Sequence, residues 1–194
     1  EQGVDSEVPL YVTNLERYTL NYRSLTPVGA RNGLVHAREL PAIEDVQYGV
    51  PLGVREMLGA ESGAIFGSLS TDPPAQNSRW QEPVFATVTP YQLHVKLGHF
   101  NSLVWVSDLA TGAAVRGAAV SVYVDRLSEL SENRQPLATA TTDASGIATF
   151  AGTSELDPRL DLLGFRCSGR PEDCPRLFVR VDGPSGMALL PLDY

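Results

Sequence analysis

The sequence predicts an all-β protein, with an antiparallel immunoglobulin-like β-sandwich in its second half and a second β-rich domain with a short helix before it. Three observations support this prediction. Short runs of alternating apolar and polar residues recur in the second half, and turn residues separate them. Apolar residues make up 43% of the 194 residues, which is enough for a buried core. No apolar run approaches the roughly 18 residues that a membrane span needs.

Seven short strands are predicted between residues 84 and 194, at the spacing typical of a sandwich. Residues 102–109 are continuously apolar at their centre, which is typical of a strand packed on both faces, so Trp105 is predicted to lie in the core. Asp143 and Gly146 mark a hairpin in which the Asp143 side chain caps the turn. The other strands are predicted at residues 93–97, 120–124, 137–142, 147–150, 177–181 and 187–190.

The first half is less regular. Residues 8–26 contain at least one strand, residues 52–58 have the spacing of a short helix that ends at Gly59, and residues 62–69 form another strand. These are too few strands for a complete sandwich. The first half is therefore either a small irregular β domain or a domain whose missing strands lie upstream of the first residue.

A linker is predicted at residues 71–83, where prolines and polar residues lie between two apolar runs. It divides the chain into a β-rich domain at 1–83 and a seven-stranded sandwich at 84–194. Trp80 lies in this linker, and we expect it to pack between the two domains.

The charge of the chain excludes two classes of partner. Fifteen basic residues against 23 acidic residues give a formal net charge of -8. Nucleic-acid binding needs a basic face that displaces counterions from phosphate, and no lysine or arginine cluster is present. The same acidity argues against an anionic membrane surface. Proteins, sugars and neighbouring domains remain as partners.

The two cysteines, Cys167 and Cys174, are separated by six residues. They could form a local disulfide, remain two free thiols, or contribute to a metal site, although no further ligands stand nearby. A disulfide would place the protein in an oxidising compartment, either the periplasm or the cell exterior. Because the chain begins Glu-Gln-Gly without a start methionine or signal peptide, we interpret it as a piece of something longer or as a processed product.

No catalytic, cofactor-binding or metal-binding residue is predicted. Catalysis would need a nucleophile with a base, a carboxylate pair or a metal cage, and none of the corresponding sequence patterns occurs. His94 and His99 are five residues apart, which places them on opposite faces of a straight strand, and His36 stands far from both. The acidic pairs predicted to be solvated are Asp157 with Asp161 and Glu172 with Asp173.

Aromatic residues leave one binding function open. If they were exposed in one plane, they could form a platform on which a sugar stacks, so a carbohydrate-binding accessory domain is an alternative. The aromatic residues concerned are Tyr11, Trp80, Tyr91, Phe100, Trp105 and Tyr123.

Four segments together carry a resemblance to a known family. They are residues 85–98 (FATVTPYQLHVKLG), 102–112 (SLVWVSDLATG), 115–120 (VRGAAV) and 141–148 (TTDASGIA). In this order they resemble a macroglobulin-type domain of the bacterial α2-macroglobulin family, and the similarity continues to the end of the chain. Residues 9–15 (PLYVTNL) resemble the preceding part of such proteins.

The resemblance implies a role within a long periplasmic or envelope protein, usually an inner-membrane-anchored lipoprotein that traps peptidases. In that family a peptidase cleaves a bait segment, and an internal thioester can then tether it. Neither Cys167 nor Cys174 begins the thioester signature Cys-x-Glu-Gln, and no bait tract stands out. The chain is therefore expected to be a non-enzymatic scaffold without cofactors. Its expected partners are neighbouring domains and, through the full-length protein, target peptidases.

A module of a bacterial adhesin or surface stalk is a third possible function. Immunoglobulin-like modules also build bacterial adhesins and surface stalks, so the chain could be one module of such a stalk. An adhesin would contain near-identical neighbouring repeats, whereas the inhibitor would contain diverse domains.

Overall fold

A computed structural model describes residues 7–74, 82–162 and 167–192 of the chain. Its first half contains one short helix, α1 (Val54–Leu58), and six strands. The strands are β1 (Glu7–Val12), β2 (Arg17–Thr26), β3 (Gly29–Glu39), β4 (Tyr48–Gly53), β5 (Gly63–Asp72) and β6 (Glu82–Val88).

The first-half strands form two antiparallel sheets. One has the order β3-β2-β5-β6, and the other is the pair β1-β4. A buried cluster lies between them, to which β2 contributes Tyr18 and Leu20 and α1 contributes Met57 and Leu58. The helix ends at Gly59, which has a φ of 59°. Glycine adopts this left-handed conformation without a steric penalty, so the predicted end of the helix is confirmed.

Four strands of the first half were not predicted as separate strands: β1, β3, β4 and β6. Most side chains of β3 are polar or exposed, because this strand lies at the edge of its sheet and contributes little to the core. β6 pairs with β5, so the first-half sheet continues to Val88, and the domain boundary predicted at 83 falls inside this strand. Trp80 and the rest of residues 75–81 lie outside the described residues.

The second half contains the seven predicted strands, one further short helix and one turn of 3₁₀ helix. The helix is α2 (Thr153–Leu156), and the 3₁₀ turn is Pro171–Asp173. The strands are β7 (Tyr91–Leu97), β8 (Asn101–Asp108), β9 (Ala119–Asp125), β10 (Ala138–Thr141), β11 (Ile147–Ala151), β12 (Arg176–Gly183) and β13 (Gly186–Pro191).

These strands form a sandwich of two antiparallel sheets, ordered β10-β9-β12-β13 and β11-β8-β7. The core between them contains Val104 and Val106 from one sheet and Val122 and Val179 from the other. The predicted all-β fold with an antiparallel sandwich in the second half is thereby confirmed. In the turn between β10 and β11 the Asp143 carboxylate accepts hydrogen bonds from the amides of Ser145 (2.8 Å) and Ile147 (2.9 Å), so the predicted cap is confirmed. The predicted hairpin is wrong, because β10 pairs with β9 and β11 pairs with β8, and the turn crosses from one sheet to the other.

The prediction that Trp105 lies in the core is wrong. Its side chain lies on the outer face of β8 and is 41% exposed, whereas the neighbouring Val104 and Val106 point into the sandwich. Successive side chains of a strand point to opposite faces, and only one face of this sheet is covered in the described residues. Trp105 instead stacks on His94 of the paired strand β7, with ring centroids 5.2 Å apart.

The prediction that Asp157 is solvated is also wrong. Asp157 follows α2 and is buried. Its two carboxylate oxygens accept hydrogen bonds of 3.0 Å from the amides of Asp161 and Leu162. The side chain therefore stabilises a turn, because it satisfies backbone donors that would otherwise have no partner there.

Candidate functional site: the interface between the two domains

The four-stranded sheets of the two halves pack against each other through their outer faces. On the first-half sheet, Leu25 pairs with Ala64 and shares its face with Phe66. On the second-half sheet, Phe178 pairs with Tyr123. These side chains point away from the cores of their own domains. Together they form one buried cluster, the inter-domain core: Leu25, Ala64, Phe66, Tyr123, Leu130, Phe178, Met187 and Leu189.

Phe178 lies at the centre of this inter-domain core. Its side chain is 0% exposed, and its ring stacks on that of Tyr123 with centroids 5.7 Å apart and an interplanar angle of 14°. Burial raises the pKa of the Tyr123 hydroxyl strongly, and the nearby Asp125 carboxylate raises it further. Around Phe178 the second-half sheet is therefore buried on both faces, by its own sandwich partner and by the first domain.

A polar contact lies beside the apolar cluster. The buried Ser62 hydroxyl, in the turn before β5, accepts a hydrogen bond of 2.9 Å from the amide of Met187 in β13. Gly186, with a φ of 134°, lies against the same hydroxyl, and a side chain there would overlap it. The two domains therefore meet at van der Waals distance at this point.

The loop between β9 and β10, residues 126–137, reaches from the second domain onto the first; we call it the arm. Leu130 at its centre is 2% exposed and belongs to the inter-domain core. It has a φ of 41°, a left-handed conformation that is costly for a leucine and that burial of its side chain offsets. The Arg23 guanidinium, on β2, donates a hydrogen bond of 2.8 Å to the carbonyl of Glu129.

Charged side chains fix the base of the arm. The buried carboxylate of Asp125 accepts hydrogen bonds from the Ser131 amide (2.7 Å) and from Nε of Arg134 (3.0 Å). Arg134 also pairs with Glu129. A buried carboxylate needs such partners, because an unpaired charge in the interior is strongly unfavourable.

Cys167 and Cys174 form a disulfide with their Cα atoms 5.8 Å apart, as one of the alternatives predicted. The loop that it closes contains the 3₁₀ turn and contacts the arm. The carbonyl of Glu172 accepts a hydrogen bond of 3.0 Å from the Ser128 amide. A hydrogen bond from the Ser128 side chain, with a further contribution from Arg170, lowers the pKa of Asp173. Glu172 and Asp173 are thus contacts of the arm, not merely solvated groups as predicted.

The structure does not bring the three histidines together. His94 stacks on Trp105, His99 packs edge-on against Phe100 in the β7–β8 turn, and Nε2 of His36 lies 3.2 Å from the Tyr18 hydroxyl. Within residues 7–74, 82–162 and 167–192, no group of three or more side chains is placed to hold a metal ion.

The aromatic residues do not form a single platform in the described part of the chain. Tyr91 and Tyr123 are buried. Tyr11, Phe100 and Trp105 are exposed, but Tyr11 lies on the β1-β4 sheet and Trp105 on the three-stranded sheet. Helices long and apolar enough to cross a membrane are also absent from the ranges that the structure describes.

Comparison with known proteins identifies the family. Residues 88–193 match the family described as the bacterial alpha-2-macroglobulin MG3 domain. The chain belongs to the bacterial alpha-2-macroglobulin family. The matched region begins where β6 ends and contains all seven strands of the sandwich, so the match covers the sandwich in the second half of this macroglobulin chain.

Solved structures resemble the macroglobulin chain over both halves. A crystal structure of native alpha-2-macroglobulin from Escherichia coli spanning domains NIE-MG1 has a TM-score of 0.58 and 14% identity, covering 96% of this chain and 88% of that one. A second, spanning domains MG0-NIE-MG1, has a TM-score of 0.58 and 15% identity; it covers 96% of this chain, which spans 58% of its length. At these identities the likeness shows the fold. No curated protein matches the sequence.

Sequence reasoning missed the inter-domain core. One signal pointed to it: residues 177–179 (LFV) are continuously apolar, although only alternate side chains of β12 enter the sandwich core. A strand that is apolar on both sides needs cover on both faces. The same argument led to the wrong prediction for Trp105, so the pattern alone does not distinguish the two strands.

Proposed function

We propose that this macroglobulin chain is a scaffold segment of a bacterial peptidase inhibitor, in which the inter-domain core holds two β domains as one unit. The burial of Phe178 and its neighbours between the two sheets is the observation that supports the proposal. In such a scaffold the chain positions other parts of a long molecule and performs no catalysis itself.

The free energy needed to expose the inter-domain core to water supports a fixed arrangement of the two domains. Separation would expose the cluster residues to water, at a cost of about 1.5–3 kcal/mol for each large apolar side chain. It would also break the bonds from Met187 to Ser62 and from Arg23 to Glu129. Contacts between domains of one chain are often small and mobile. This one contains a continuous apolar core, so we expect it to resist separation.

The proposed inhibitor protects the bacterial cell envelope by trapping attacking peptidases. Family membership favours this role over a module of an adhesin, and the disulfide is compatible with an oxidising compartment such as the periplasm. We propose that the parent protein is an inner-membrane-anchored lipoprotein and that its peptidase-binding parts lie outside these 194 residues. Within this segment the partners are the adjacent domains of the same chain.

The first test compares this chain with the full-length protein as inhibitors of trypsin. The full-length protein is expected to inhibit trypsin stoichiometrically and this chain is expected to have no effect. Stoichiometric inhibition by this chain alone would overturn the scaffold role. A full-length protein that leaves trypsin fully active and mediates attachment of cells would instead support the adhesin.

A second test concerns the interface. Phe178→Ala in the full-length protein is expected to lower the fraction of trypsin that is trapped, and Phe100→Ala, at an exposed phenylalanine, serves as the matched control. Equal trapping by both variants would show that the interface does not contribute to inhibition.

Cell fractionation of the same strains tests the proposed location. It is expected to find the protein in the envelope.

A further inference from the structure

The disulfide loop contacts the arm, and the arm contacts the first domain. We propose that the Cys167–Cys174 disulfide is a redox-sensitive brace on the inter-domain interface: when it is oxidised it holds the arm against the first domain, and when it is reduced the arm and the interface loosen. The inference concerns this chain's own mechanics and does not depend on peptidase trapping.

The first step leads from the disulfide to the arm. The bond closes a loop of eight residues around the 3₁₀ turn, in which the Asp173 amide donates a hydrogen bond of 2.9 Å to the Arg170 carbonyl. Arg170 also forms an ion pair of 2.9 Å with the Asp173 carboxylate. This turn presents the Glu172 carbonyl to the Ser128 amide, which donates a hydrogen bond of 3.0 Å to it. The disulfide therefore fixes an acceptor for one arm residue.

The second step leads from the arm to the first domain. Ser128 directly precedes Glu129, whose carbonyl accepts the hydrogen bond from Arg23. Leu130 follows and inserts into the inter-domain core. Leu130 keeps a left-handed backbone conformation, so it depends on its neighbours to stay in place. If Ser128 becomes mobile, the hydrogen bond from Arg23 to Glu129 and the packing of Leu130 in the inter-domain core are both weakened directly.

The disulfide is accessible to a reductant. Cys167 is exposed, whereas Cys174 is only 8% exposed. A thiolate of a dithiol reductant attacks one sulfur and forms a mixed disulfide, and its second thiol then resolves it. Two electrons and two protons pass to the cysteines, which become thiols, and the reductant becomes a disulfide. The freed loop regains the conformational entropy that the bond had removed.

Amide hydrogen exchange of the 194-residue chain, oxidised and after dithiothreitol treatment under native conditions, tests the proposal. Reduction is expected to accelerate exchange at the amides of Ser128, Leu130 and Met187 by about tenfold or more. The Val106 amide, which lies in the three-stranded sheet and donates a hydrogen bond to the Gly146 carbonyl, is expected to change less than twofold. The double variant Cys167→Ser, Cys174→Ser is expected to reproduce the reduced pattern.

Two results would overturn the brace. Acceleration confined to residues 167–174 would show that the disulfide stabilises only its own loop. Equal acceleration at Val106 and Met187 would show that it stabilises the whole fold rather than the interface.

Discussion

The Arg23 guanidinium donates a hydrogen bond of 2.8 Å to the backbone carbonyl of Glu129, 106 positions further along the chain. The donor lies on a strand of the first domain, and the acceptor lies in the arm of the second. Because the acceptor is a backbone atom, the bond depends on the path of the arm rather than on the identity of its side chains. It therefore reports directly on whether the two domains are in contact.

Arg23→Met is expected to weaken the interface. Methionine retains part of the apolar stem but cannot donate to the Glu129 carbonyl, so the free energy of unfolding should fall by about 1 kcal/mol. Urea denaturation of the chain measures this change. Arg38→Met is the control, because exposed Arg38 bonds to the Pro51 carbonyl within the first domain. Arg38→Met should leave hydrogen exchange at the Met187 amide unchanged. An effect of Arg38→Met on that amide larger than the effect of Arg23→Met would contradict the prediction.

Phe178→Ala is expected to destabilise the chain by about 3–5 kcal/mol, because it leaves a cavity between the two domains. Chemical denaturation followed by intrinsic fluorescence provides the measurement. Phe100→Ala removes an aromatic side chain that is 80% exposed and should change the free energy by no more than about 0.5 kcal/mol. Similar values for both variants would show that the inter-domain core is not formed in solution.

Two buried serines should respond in opposite ways to replacement by alanine. Ser62→Ala leaves the Met187 amide without its acceptor, so a loss of about 1–3 kcal/mol is expected. The Ser24 hydroxyl is fully buried and makes no hydrogen bond to any described residue. Ser24→Ala should therefore be neutral or stabilising. Thermal unfolding of the two variants distinguishes them, and a greater loss from Ser24→Ala would refute the assignment.

Stability is expected to fall in alkaline solution because of Tyr123. Burial raises its pKa in the folded state above the ordinary value of 10.0. Above pH 10 the unfolded chain loses this proton while the folded chain retains it, so ionisation favours unfolding. The contribution is fully present below pH 10 and is lost as the pH rises through the raised pKa.

Tyr123→Phe should therefore flatten the alkaline limb of the stability profile, since the stacked ring is kept and the ionisable hydroxyl is removed. Denaturation midpoints measured from about pH 8 to about pH 11, a range that includes the ordinary tyrosine pKa, give the slope of stability against pH. Tyr11→Phe, at an exposed tyrosine, should leave the profile unchanged. An unaltered slope in Tyr123→Phe would show that the hydroxyl is not buried.

Local patterns predicted much of the second domain. The strands around Val122 and Val179 could be identified because alternation of apolar and polar residues reflects the pleat of a single strand. The Asp143 turn and the end of the helix at Gly59 depend on neighbouring residues alone, so they were also predicted. Edge strand β3 was missed because it buries few side chains and lacks that alternation.

The sequence by itself determined the fold class, the seven strands of the sandwich and the two cysteines close enough to bond. Only the tertiary structure decided which apolar faces are covered. Trp105 and Phe178 both lie on outer faces of the sandwich, yet Trp105 is exposed and Phe178 is buried. The difference arises because the first domain packs on the sheet of Phe178, and the apolar run in each strand does not show which outer face a distant segment covers.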